Sequence, residues 1–223
     1  MGAAPQPLGA APRHQTPGLD ATNKSLSAAE RDEAARTAWR AEARALDPAA
    51  LVFVDESGTH LALTPLYARA PRGERACGRA PADRGTNVTL LAALSLDGVV
   101  AALTLAGAAD ALAFAADVRE VLAPTLRPGQ TVLLDNVRTH KGAAVRALIE
   151  ARGCRLLFLP AYSPDFSPIE QAFSKLKALL RRAGARTREA LEAAIAEGLA
   201  AISAQDAQGW FTACGYEREA QPL

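Results

Sequence analysis

The stretch LVFVD, residues 51–55, is a short apolar run that ends in an acid. Its two β-branched valines and lack of alternation predict a strand buried on both faces of a sheet. Working outward, VTLLAALS (88–95), VVAALTL (99–105), TVLLD (131–135) and RLLFLP (155–160) have the same character, and HLALT (60–64) lies between the first strand and an arginine-rich stretch. Leu96-Asp97-Gly98 is a hairpin signal, so the early strands form an antiparallel meander. Helical patterns fill the gaps at residues 109–123, in KGAAVRALIEAR up to Gly153, in PIEQAFSKLKALLRR, and in TREALEAAIAEGLAAI (187–202). The order β-β-β-α-β-α-β-α with a helical tail predicts an α/β fold with a mixed sheet.

A chain of 223 residues suffices for one domain plus an arm. Residues 1–26, rich in Pro, Ala and Gly, predict a disordered arm. Residues 27–47 predict a lead-in helix: Ser27-Ala-Ala-Glu30 matches a capping box, Ala35, Trp39, Ala43 and Leu46 follow at helical spacing, and Pro48 ends it. The remaining domain is 48–223. With 25 basic and 24 acidic residues the formal net charge is +1, so any nucleic-acid contact must use local patches. Cys77, Cys154 and Cys214 are odd in number, far apart and without a C-x-x-C pair, which argues against a disulfide framework or a zinc knuckle and suits a reducing cytosol. No signal peptide and no run of 18 apolar residues is present, so the expectation is a soluble cytoplasmic protein with no membrane partner.

Three acids stand out. Asp55 and Asp135 each end an apolar run, and on parallel neighbouring strands both emerge at the carboxyl edge where α/β folds hold ligands. Glu170 opens the helix after the next strand. Two carboxylates at about 4 Å repel by roughly 4 kcal/mol at an effective dielectric near 20, so a cluster of three calls for a cation. Magnesium prefers such hard oxygen ligands, and two ions can clamp the attacking and leaving oxygens of a phosphodiester. A simpler reading competes: Ser167-Pro168-Ile169-Glu170 is itself a capping box with proline at the first helical position.

LVFVDESG, LLDNVRTHK and LPAYSPDFSPIEQAFSKLKALLRR together resemble the three acid-bearing blocks of DDE transposases of the mariner-like insertion-sequence superfamily. The resemblance covers roughly residues 35–216. It includes the 34 residues between Asp135 and Glu170 and the pattern D-N-x-x-x-H. It implies a ribonuclease H-like fold, with a mixed five-stranded sheet of three antiparallel strands followed by alternating helices and strands, plus C-terminal helices. It further implies that Asp55, Asp135 and Glu170 form a triad holding two Mg2+ ions, with Mn2+ as a substitute, and that Asn136 and His140 support the site. Double-stranded DNA (transposon ends and target) would be the substrate, and a homodimer would pair the ends.

Arg69, Arg72, Arg75, Arg79 and Arg84 in the stretch after LVFVD, with Lys175, Lys177, Arg181 and Arg182 on the long helix, are candidates for phosphate contacts; a solvated face explains the helical group nearly as well. The short N-terminal arm is too small for the helix-turn-helix region of complete family members, so an upstream product is expected to supply end recognition. Two other classes stay open. VDESGT (54–59) resembles the start of aspartyl-phosphate phosphatases, although no second aspartate lies four residues after Asp135. A catalytically inactive, transposase-derived DNA-binding protein is the other.

Overall fold

The computed structural model describes residues 28–217. The expected arm and Ser27 lie outside the described residues. The lead-in helix is shorter than 27–47: α1 spans Glu33–Ala43, and its cap is Asp32, whose carboxylate accepts from the N–H groups of Ala34 and Ala35. The core strands follow as β1 (Leu51–Thr59), β2 (Val88–Ser95), β3 (Gly98–Ala106), β4 (Thr131–Leu134) and β5 (Arg155–Phe158). Helices α2 (Ala111–Asp117) and α3 (Ala123–Thr125) are joined by a π-type turn over Val118–Leu122, just before Pro124, which has no N–H to donate to a regular ladder. Then come α4 (Ala143–Glu150), α5 (Pro168–Ala183), α6 (Arg188–Ala200) and α7 (Ala204–Ala213).

The five strands form one sheet in the order β3-β2-β1-β4-β5. β1 pairs antiparallel with β2 and β2 with β3, whereas β4 pairs parallel with both β1 and β5. This is the mixed sheet with helices expected of a ribonuclease H-like fold. HLALT lies outside the sheet, just after β1 ends at Thr59. The Leu61 and Leu63 carbonyls instead accept from the Arg186 guanidinium at 2.9 and 3.0 Å.

Alternation along the strands divides the core. Leu51, Phe53 and Leu133 face one side with Trp39 of α1, Ile169, Phe173 and Leu176 of α5, Ile195 of α6 and Phe211 of α7. Val52, Val54, Val132 and Leu134 face the other with Phe114, Val118, Val145 and Ile149. Gly198 lets α6 approach α5 closely, since a Cβ there would lie 2.4 Å from Leu176 Cδ1. Among the described residues no helix is long and apolar enough to cross a membrane.

Candidate active site

The site begins with a register. Leu51 pairs with Thr131, Val52 with Val132 and Phe53 with Leu133. Two residues further on stand Asp55, within β1, and Asp135, the residue just past the end of β4. Asp55 therefore lies within β1 rather than at its end; what ends there is the parallel pairing with β4. The side of the sheet that Phe53 and Leu133 face is the one α5 covers, and Glu170 sits in the first turn of α5. The three acids thus line one cleft of about 600 Å³, together with Asn136, Val137 and Tyr162.

The alternative reading of Glu170 does not hold. Ser167 is the N-cap of α5, but its side chain makes no capping hydrogen bond. The N–H of Glu170 bonds instead to the Ser167 carbonyl at 3.2 Å, and the Glu170 side chain is exposed in the cleft.

Electrostatics mark Asp55 as the centre of the cluster. Burial, with the nearby Glu170 and Asp135 carboxylates, pushes its carboxyl up to about 7, although the Glu56 N–H donates to it at 2.8 Å. Asp135 behaves oppositely: burial would raise it, but the hydrogen bond from His140 and a bond from the Val137 N–H hold it below the usual carboxylate range. His140 is buried and stacks on Phe114 with ring centroids 4.2 Å apart. Its Nδ1 meets Asp135 at 2.5 Å and its Nε2 meets Glu56 at 2.8 Å. Burial would depress the imidazole, yet these two carboxylates carry it up to about 9, so near neutral pH it is an imidazolium donating to both.

Glu56 is the member that sequence reasoning missed. It follows Asp55 in β1 and also lines the cleft, and only the fold brings His140 to it. Asn136, exposed, lines the cleft, whereas His140 lies outside it, behind Asp135. Arg69, Arg72, Arg75, Arg79 and Arg84 are all exposed in the connection between β1 and β2 and do not line the cleft. Burial lowers the His60 imidazole below its ordinary value, and the nearby Arg84 and Arg181 charges add to that. Lys175 is engaged with Asp206 of α7 at 2.6 Å, whereas Arg182 is exposed.

Do these residues suit a divalent ion? Burial and the neighbouring Glu170 and Asp135 carboxylates raise the Asp55 carboxyl, and a divalent cation beside it would offset both effects. Among the described residues no three carboxyl, imidazole or thiol groups converge tightly enough to hold one ion. The arrangement offers pairs of carboxylates with Asp55 in common, which suits magnesium, since it usually takes one or two carboxylates and completes its shell with water and phosphate oxygens.

The sequence description of the DDE superfamily endonucleases matches residues 50–192, from the residue before β1 into α6. The chain belongs to this family. No curated protein matches the sequence. Among solved structures, the DDE endonuclease chain is similar to the Mos1 transposase paired-end complex with left transposon end, at TM-score 0.69 and 19% identity over 89% of this chain and 63% of that one. The Mos1 mariner paired-end complex with Mg gives 0.66 and 17% over 89% and 65%. The catalytic domain of Mos1 mariner transposase gives 0.53 and 17% over 82% and 84%. These likenesses establish the ribonuclease H-like fold of this DDE endonuclease. The chain spans less than two thirds of the length of the transposases in the paired-end complexes.

Proposed function

We propose that this chain is the catalytic domain of a transposase, which cleaves DNA at transposon ends and joins the freed strand to target DNA. The observation that carries the proposal is the register that sets Asp55 beside Asp135 on the face covered by the helix of Glu170. Asp55, Asp135 and Glu170 would hold Mg2+ or Mn2+. The bound ions would supply activation of water or a 3′-hydroxyl and stabilisation of the leaving oxygen.

The chain's own residues prepare that chemistry. The sheet fixes the Asp55 backbone, and His140 orients Asp135 from behind while keeping it ionised. Glu170, free of capping duty, can adjust to substrate from the cleft wall. The family match and the DNA-bound transposases among the structural likenesses support DNA as substrate. Arg69, Arg72, Arg75, Arg79 and Arg84 on the exposed β1–β2 connection, with Lys177, Arg181 and Arg182, supply phosphate contacts, which makes binding fall steeply with salt. Two copies acting on paired ends, an upstream helix-turn-helix product for end recognition and a cytoplasmic setting complete the proposal.

Its test is the pair wild type and Glu170→Gln, assayed on supercoiled DNA carrying the ends of the chain's own element. Metal-dependent nicking by wild type, and nicking near background in the variant at an unchanged melting temperature, is the expected result. Equal nicking by both proteins would remove Glu170 from the chemistry.

A further inference from the structure

Tyr162 is at φ +56°, and is the one non-glycine residue with positive φ among the described residues. The neighbours explain why the strain falls there. Pro160 and Pro164 restrict the backbone on either side, and the Ser163 hydroxyl donates to the Ala161 carbonyl at 3.1 Å, closing a tight turn over Tyr162. Glycine or asparagine takes this conformation readily, whereas a bulky L side chain is strained in it. The ring gains no burial in return, since Tyr162 is 58% exposed. Neither turn chemistry nor core packing accounts for an aromatic here, and strain of this kind gathers where a side chain is held out for use.

Its position says for what. Tyr162 lines the same cleft as Asp55, Asp135 and Glu170, and Val137, 48% exposed, adds a second apolar group to that lining. The acids serve the phosphodiester. A flat aromatic face beside them has no partner in a phosphate, but it matches a nucleobase, whatever its identity. A base stacked inside a duplex shows no face to a side chain, so the base must be unpaired. We propose that Tyr162 is a stacking platform for an unpaired nucleobase next to the scissile phosphodiester, a role that rests on the transposase reading above and makes the cleft selective for opened DNA ends.

The experiment uses the full chain, without divalent metal, and two duplexes of one sequence labelled with 2-aminopurine near one end: one forked by a few unpaired nucleotides, one fully paired. Wild type and Tyr162→Phe are expected to prefer the fork and quench its fluorescence. Tyr162→Ala and Tyr162→Gly are expected to bind the fork about five- to a hundredfold more weakly, with affinity for the paired duplex unchanged. The melting temperature of Tyr162→Gly should equal or exceed that of wild type, because glycine relieves the strain. Equal fork binding by all four proteins overturns the proposal, as does a loss shared by both duplexes. A fall in subunit number on sedimentation with quenching intact would make Tyr162 a subunit contact instead. Nicking with Mg2+ or Mn2+ is scored separately: wild type that prefers forks yet never nicks refutes the transposase reading alone, and wild type that nicks without fork preference refutes stacking alone.

Discussion

The Nδ1–H of His140, a buried ring that is not part of the cleft lining, meets Oδ1 of Asp135 at 2.5 Å. The same ring reaches Glu56 at 2.8 Å, so one buried imidazolium ties the strand of the first acid to the second acid itself. Partners that orient a metal ligand from behind typically govern affinity or rate by 10- to 100-fold. His140→Ala should therefore weaken Mg2+ activation of nicking by about 10- to 100-fold, and Glu56→Gln, which keeps an acceptor, by less. A metal titration of nicking rate checks both; equal and small effects would reduce the pair to a structural contact.

Asp55 is expected to destabilise the metal-free protein. Its folded pKa of about 7 exceeds its ordinary 3.8, so the folded state binds the extra proton, and stability is lost as pH rises from roughly 4 through 7. Asp55→Asn should melt above wild type at about pH 8 by the equivalent of up to about 4 kcal/mol, with the gap closing below about pH 4. Adding Mg2+ should raise wild type and not the variant.

Asp117 provides a comparison away from the cleft. Burial in α2 lifts it from 3.8 to about 6. The sign is the same, with stability falling as pH rises through that window. Asp117→Asn should gain on the order of 2 kcal/mol at about pH 8 and little below about pH 4. Melting with Mg2+ should leave this gain unaltered, unlike that of Asp55→Asn.

Arg36 of α1 is fully buried and meets both Asp165 oxygens at 2.9 and 2.6 Å, its guanidinium 4.2 Å above the Phe166 ring. The Asp165 side chain is 52% exposed, which moderates the interaction. Asp165→Asn leaves the buried guanidinium with only the longer contact of its Nε to Glu33 at 3.6 Å and should cost about 2–3 kcal/mol, read from the denaturant midpoint. Because Asp165 directly precedes the turn into α5, nicking should fall as well. An unchanged midpoint would show that the pair adds nothing net.

The strands were legible because their apolar runs are long and bounded by clear turn residues, and Asp135 could be placed because TVLLD ends where its strand does. Glu170 was readable as cap or as site acid, since both uses want an acid at that position, and the structure shows only that the Ser167 hydroxyl makes no capping bond. Glu56 was hidden by its neighbour: the partner that gives it a purpose lies 84 positions away. Arg36 looked like an ordinary helical arginine until Asp165, 129 positions on, supplied its reason for burial.

The family boundary falls at residue 50, yet α1 lies before it, and Trp39 there donates at 3.3 Å to Tyr216, whose hydroxyl in turn bonds to the Phe166 carbonyl. A fragment trimmed to residues 50–192 would leave the Phe166 turn without the groups that brace it from both ends of the chain. Anyone fusing this chain to a targeting module should attach it upstream of residue 31 and retain Tyr216, treating the helix before the family boundary as part of the folded unit.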